Sequence, residues 1–227
     1  LLLMLPGVAI DHVPASDAVR YQLSRALARY AARTVRGQSQ EMALREMRRL
    51  MWSDYRAAAV GKTAALFGLP VYGACLLAGV ERERAEELAQ CFEDIGLIYQ
   101  ICDDVLDLFG SGAQRALGSD VREGKITALV AQHLTLYPDD EAWLLEHLDR
   151  PAADTTDAHI QAVSRRLRFG GALEVVVEEV YNLSRRLLDA PALASEPGLA
   201  TAAHGLLERV LAPMRSLDPS LPQVGAK

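Results

Sequence analysis

Residues 96–110 read GLIYQICDDVLDLFG, and the rest of the chain is best understood outward from them. On a helix Asp103 and Asp107 stand at i and i+4 on one face, with Asp104 about a hundred degrees round, so three carboxylates are expected to converge on one rim. Ile95, Leu97, Ile98, Ile101, Val105, Leu106, Leu108 and Phe109 make the helix apolar on nearly every other side, which marks it as buried. Like charges at i,i+4 oppose the helix by about 0.2–0.5 kcal/mol, and withdrawing ionised carboxylates from water costs several kcal/mol more. A cation must compensate. Hard oxygen donors with no His or Cys beside them suit magnesium, which keeps waters and binds one or two carboxylates together with substrate phosphates. A solvated acidic face or an ion-pair cluster is the plainer alternative, and the apolar flanks weigh against it.

Around this segment spacing at three and four residues recurs, and period-two alternation does not, so the 227-residue chain reads as all-α. Helices are expected over 16–36, 40–52, 54–79, 82–109, 125–135, 139–149, 156–168, 170–189 and 197–215. Ser16 stands before the first long helix, Gly79 closes another, and Pro138-Asp139-Asp140 reads as a solvated helix start. The tail from Pro213 is expected to fray. A single helical domain over 1–227 fits this length, with half the residues apolar to fill a core.

The net charge of −6 and the lack of a basic cluster argue against nucleic acid as a partner. Cys75, Cys91 and Cys102 sit in apolar helical stretches without metal-ligand spacing and read as reduced core residues of a cytoplasmic protein. The opening LLLMLPGVAI lacks a basic start and meets Pro6 early, so no signal peptide and no integral membrane segment is expected there. It reads instead as the continuation of a helix begun upstream.

Lysine usage gives an independent pointer. Of 24 basic residues only Lys62, Lys125 and Lys227 are Lys. The first two each follow a Gly, closely precede a Thr and lie in apolar surroundings, where a compact ammonium suits a phosphate oxygen. The plainer reading of either is a snorkelling surface side chain.

These motifs together resemble the trans-isoprenyl (polyprenyl) diphosphate synthases, which include farnesyl and geranylgeranyl diphosphate synthases. Gly37-Gln38 resembles that family's Gly-Gln step, Lys62-Thr63 its Lys-Thr pair, and Tyr99-Gln100 with Asp103-Asp104-x-x-Asp107 its Phe-Gln and second aspartate-rich motif. Gly118-Ser119-Asp120 and Gly124-Lys125 continue the match, which is dense over about 20–130. The resemblance implies an isoprenoid-synthase-type helical bundle around a central apolar cavity. It implies a prenyltransferase condensing an allylic prenyl diphosphate with isopentenyl diphosphate, on three magnesium ions in the complete site.

By matching position Asp103, Asp104 and Asp107 are implied metal ligands. Lys62 and Lys125 are implied to grip the allylic diphosphate, with Thr63, Gln100 and Gln38 near the developing charge and Asp120 a less direct metal-side acid. Glu41 stands where the family usually has Asp, Tyr99 replaces Phe, and Gln114-Arg115 replaces a common Gly-Lys, so Arg115 is expected to contact the diphosphate as a fork in place of a point donor. The first aspartate-rich motif is absent, and by register residue 1 falls just after it. The chain alone is therefore not expected to turn over. A homodimer is expected from the resemblance; a terpene cyclase on the same scaffold and a non-catalytic partner subunit are the competing readings.

Overall fold

A computed structural model describes residues 5–47, 49–110, 117–219 and 221–222. Among these there is no strand. The helices are α1 (Leu5–Asp11), α2 (Asp17–Ala43), α3 (Trp52–Ala59), α4 (Ala65–Leu77), α5 (Arg82–Phe109), α6 (Ser119–Arg122), α7 (Ala128–Leu136), α8 (Glu141–Leu148), α9 (Asp157–Phe169), α10 (Ala172–Leu188), α11 (Pro191–Ala194) and α12 (Pro197–Leu211).

Local signals set these boundaries. Ser16 caps α2 by accepting the Val19 N–H, and Thr127 caps α7 by accepting that of Val130. Gly79 ends the α4 segment in the left-handed region at φ 73°, where the Val80 N–H closes onto the Cys75 carbonyl. Between α3 and α4 the chain does not break: Val60–Ala64 form one π-turn, so Trp52–Leu77 run on as one segment. That segment is long and apolar enough to cross a membrane. Here it packs between α2 and α5 as a core helix.

The centre of the bundle is α5. It carries α4 on one side and α7, α10, α11 and α12 on others, and Ile95, Leu97, Ile98 and Ile101 are each no more than 1% exposed. Burying an Ile or Leu fully is worth about 1.5–3 kcal/mol, so this one helix anchors much of a contiguous apolar core. Cys75, Cys91 and Cys102 are buried free thiols in that core.

Small residues let the helices approach. A Cβ on Gly37 would lie 2.2 Å from the Lys62 backbone nitrogen, and one on Gly61 would lie 2.8 Å from the Gly37 Cα. One on Gly68 would meet Glu93 Cγ at 2.5 Å. Beneath Gly68 the Arg33 guanidinium reaches from α2 to the buried Glu93 of α5, donating to both carboxylate oxygens at 2.8 and 2.5 Å.

Three expectations are corrected. The helix expected over 40–52 does not form: α2 runs through Ala43, a 3-10 turn covers Leu44–Glu46, and Arg49 takes a positive φ of 58°. The left-handed turn at Arg49 breaks the helical path, and Arg45 donates to the Leu148 carbonyl and to Asp149. The acids at Asp139-Asp140 do start a helix, but Asp140 is not merely solvated: it binds Arg166 and, at 2.8 Å, the buried His133. The tail beyond Pro213 is packed as far as it is described, with Met214 and Leu221 buried.

Candidate active site

The acidic end of α5 is tied to its neighbours by a relay of side chains. Gln100 accepts a hydrogen bond from the Thr63 hydroxyl at 2.7 Å and donates through Nε2 to Asp104 Oδ1 at 2.8 Å. Asp104 Oδ2 in turn accepts the Ala128 N–H at 2.7 Å, at the positive end of α7. Burial outweighs these donors and raises the Asp104 carboxyl to about 7, with the Asp120 charge adding to the rise. The Tyr55 hydroxyl of α3 stands beside Asp104 without a well-aligned hydrogen bond, and its own pKa is pushed up by burial and by that carboxylate.

Asp107 faces the following loop. Its carboxylate accepts from the Ser119 hydroxyl and, at 3.1 Å, from the Asp120 N–H, while its carbonyl takes the Gly118 N–H at 2.8 Å. Gly118 (φ 79°) and Gly124 (φ 66°) make the left-handed turns on either side of α6. These turns return the chain so that Lys125 Nζ reaches Asp120 at 2.8 Å and Glu123 at 2.7 Å. Burial works against the Lys125 charge, but the two carboxylates prevail and its pKa is raised; burial raises that of Asp120, which Lys125 opposes.

The second expected lysine stands on the π-turn. Lys62 Nζ contacts both oxygens of Glu41, at 2.7 and 2.6 Å, and Gln38 Nε2 donates to the same carboxylate at 3.0 Å. The Gly37–Gly61 crossing sets this register, since only two glycines let α2 lie this close to the π-turn. π-turns inside α-helices recur at functional sites.

The structure thus brings Gln38 and Lys62 into one group, Thr63, Gln100 and Asp104 into a second, and Asp107, Asp120 and Lys125 into a third, all around the end of α5. The three aspartates differ in exposure. Asp104 and Asp107 are buried, with Asp104 bonded to Gln100 of its own helix and to α7 and Asp107 bonded to α6, whereas Asp103 is only half-buried. Among the described residues no three His, Cys, Asp or Glu side chains are assembled to hold a metal. The donor chemistry still suits a hard cation, with one carboxylate at the rim and two that fix the helix end. Arg115 lies outside the described residues.

Two participants were missed as site residues. Glu41 was legible only as a departure from the resembled motif, although it stands three residues past Gln38 on one helix face. Tyr55 carries no signal in the sequence, because only the fold brings α3 to Asp104.

The sequence model of the polyprenyl synthetase family matches residues 8–165, well over half of the chain. The chain belongs to the polyprenyl synthetase family. Among curated relatives, a short chain isoprenyl diphosphate synthase of Methanocaldococcus jannaschii is 42% identical over 90 residues, covering 38% of this chain and 28% of that one. A (2E,6E)-farnesyl diphosphate synthase of Mycobacterium tuberculosis is 29% identical over 153 residues, covering 65% and 42%. A geranylgeranyl pyrophosphate synthase structure superposes with TM-score 0.75 at 20% identity, over 88% of this chain and 62% of that one. That of Corynebacterium glutamicum, complexed with isoprenyl diphosphate and magnesium, gives 0.75 at 22% identity, over 86% and 56%. The structural likenesses show the shared all-α fold. This polyprenyl synthetase chain spans less than half of those curated relatives.

Proposed function

We propose that this family member is a prenyltransferase, joining an allylic prenyl diphosphate to isopentenyl diphosphate by head-to-tail trans elongation. The observation that carries the reading is the gathering of Lys62, Lys125 and the Thr63–Gln100–Asp104 relay around the acidic end of α5, in a chain of this family.

In this reading the allylic C–O bond breaks with its electron pair leaving on diphosphate, C4 of isopentenyl diphosphate bonds to the allylic carbon, and one proton is lost. Asp103, with Asp104 and Asp107 behind it, would hold magnesium, which when bound would supply Lewis-acid stabilisation of the leaving diphosphate. Lys62 and Lys125 add point charges for its oxygens. Each ammonium has three donors, so contacts to Glu41 or Asp120 do not exhaust it. The Thr63 hydroxyl and Gln100 amide act as fixed dipoles, locked by the bond to Asp104 and needing no reorganisation as charge develops. Arg115 adds a fork to the same diphosphate. Three magnesium ions per site, a homodimer and a cytoplasmic location extend this reading from the family resemblance.

The test is turnover of labelled isopentenyl diphosphate by the complete gene product, with magnesium and dimethylallyl, geranyl, farnesyl or geranylgeranyl diphosphate. Labelled, chain-extended diphosphates are expected. Unlabelled hydrocarbon, or no product with any of the four, overturns the reading. In the chain itself Asp103→Ala is expected to abolish magnesium-dependent binding of a prenyl diphosphate with the fold intact, and unchanged binding removes its metal role.

A further inference from the structure

At the other end of α5, about 32 Å from Asp103 by the helical rise over twenty-one residues, lies a cavity that the reaction above does not use. It measures about 430 Å³ and lies between α2, the end of α4 and the start of α5. Arg25, Arg29 and Arg82 line it, and no Asp or Glu does. Its floor is apolar and buried, made of Ala26, Tyr72 and Leu76, with Val80 beside them and the exposed Tyr21 as one wall.

The positive charge here is under-compensated. Arg29 and Arg82 lean on the same oxygen of one carboxylate, Glu86 Oε1, at 3.0 and 3.2 Å. Arg25 has no hydrogen bond or ion pair among the described residues. A guanidinium carries five donors, so most of the fifteen in this group are unspent. Arg29 is held in place by cation–π contact, its guanidinium 4.9 Å from the Tyr72 ring centre and 5.5 Å from that of Tyr30. The first turn of the 28-residue helix α5 opens at the same place, and its cap residue Glu81 makes no side-chain cap hydrogen bond. The positive end of the helix adds to the arginine field, against the carboxylates of Glu81 at the cap and Glu83 in the first turn.

We propose that this cavity binds a phosphate- or diphosphate-bearing molecule, its oxyanion held by Arg25, Arg29 and Arg82 and its remainder lying on Ala26, Leu76 and Val80. Guanidinium forks arriving from two helices suit a group with oxygens on several sides, which phosphate offers and a planar carboxylate does not. The molecule is either free in solution or the headgroup of an anionic lipid. The inference is independent of prenyl transfer.

The experiment is calorimetric titration of the chain with inorganic diphosphate in the presence of EDTA, so that the metal-dependent binding proposed for the aspartate end contributes nothing. Saturable binding is expected, with Kd raised at least tenfold in an Arg25→Gln/Arg82→Gln double variant and unchanged in Asp103→Ala. Both arginines are exposed, and circular dichroism checks that the double variant folds. In a second arm the chain is sedimented with phosphatidylglycerol or phosphatidylcholine vesicles. Association with the anionic vesicles alone, lost in the double variant and without heat from diphosphate, assigns the headgroup. Binding that survives the double variant, or that Asp103→Ala removes, overturns the proposal, as does silence in both arms.

Discussion

Gly37 and Gly61 meet with no room for a side chain on either: a Cβ added to Gly61 would lie 2.8 Å from the Gly37 Cα. This crossing sets α2 against the π-turn and thereby brings Gln38 and Glu41 up to Lys62. Gly37→Ala is expected to cost at least the 1–3 kcal/mol or so typical of overpacking, because the obstructing atoms are backbone and cannot rotate away. Gly205→Ala, at a helical position with nothing within 4 Å, is the control and should be neutral or stabilising. Urea unfolding of the two variants checks this, and equal midpoints refute the crossing as a constraint.

Arg33→Met strands the buried Glu93 carboxylate. A loss of about 3–5 kcal/mol is expected in chemical denaturation, and adding Glu93→Leu should recover most of it, since a matched apolar pair needs no compensation. A double variant as unstable as Arg33→Met would show that packing rather than charge is at stake.

Thr63→Val keeps the shape of the side chain but removes the donor to Gln100 Oε1. Leaving that partly buried acceptor without its partner costs up to about 1–3 kcal/mol. If Gln100 orients groups around the leaving diphosphate, kcat of the complete gene product should fall more than KM rises. A pure KM effect would confine Thr63 to substrate binding.

Asp140 predicts a specific acid response. Arg166 first, then His133, hold its carboxyl down at about 2 against an ordinary value near 3.8. Such a group binds fewer protons folded than unfolded, so its stabilisation is complete above pH 4 and is lost as pH falls from about 4 to about 2. Asp140→Asn should therefore be less stable than the parent at pH 6, and the gap should close towards pH 2. A gap independent of pH over that window would show the charge to be irrelevant.

What the sequence made legible was whatever depends on neighbours along the chain. The periodicity around 96–110 located α5 and its burial, the Ser16 and Gly79 signals placed helix ends, and the rarity of lysine singled out Lys62 and Lys125. What escaped depends on partners far away. Residues 44–50 carry a helical pattern, yet Arg45 is claimed by Leu148 and Asp149 more than a hundred residues on. An aspartate triplet at helical spacing looks alike whether its oxygens face a metal or the N–H groups of α6 and α7. Arg33 on an amphipathic helix reads as solvated until Glu93 is found beneath Gly68. The two lysines stood out by their rarity, but that each rests on a carboxylate was beyond reach, since Glu41 belongs to a different helix from Lys62.

The π-turn at Val60–Ala64 holds one more residue than a regular turn needs, and this makes it a phase shifter. Upstream of it α3 supplies Tyr55 to Asp104; downstream α4 offers Gly68 to Glu93. Removing one residue from the turn would let the hydrogen-bond ladder run on regularly, but at about 100° per residue it would swing one half of the helix relative to the other. The two halves then could not both keep their partners. The extra residue therefore acts as an angular key, through which a single continuous helix serves two environments whose periodicities do not agree.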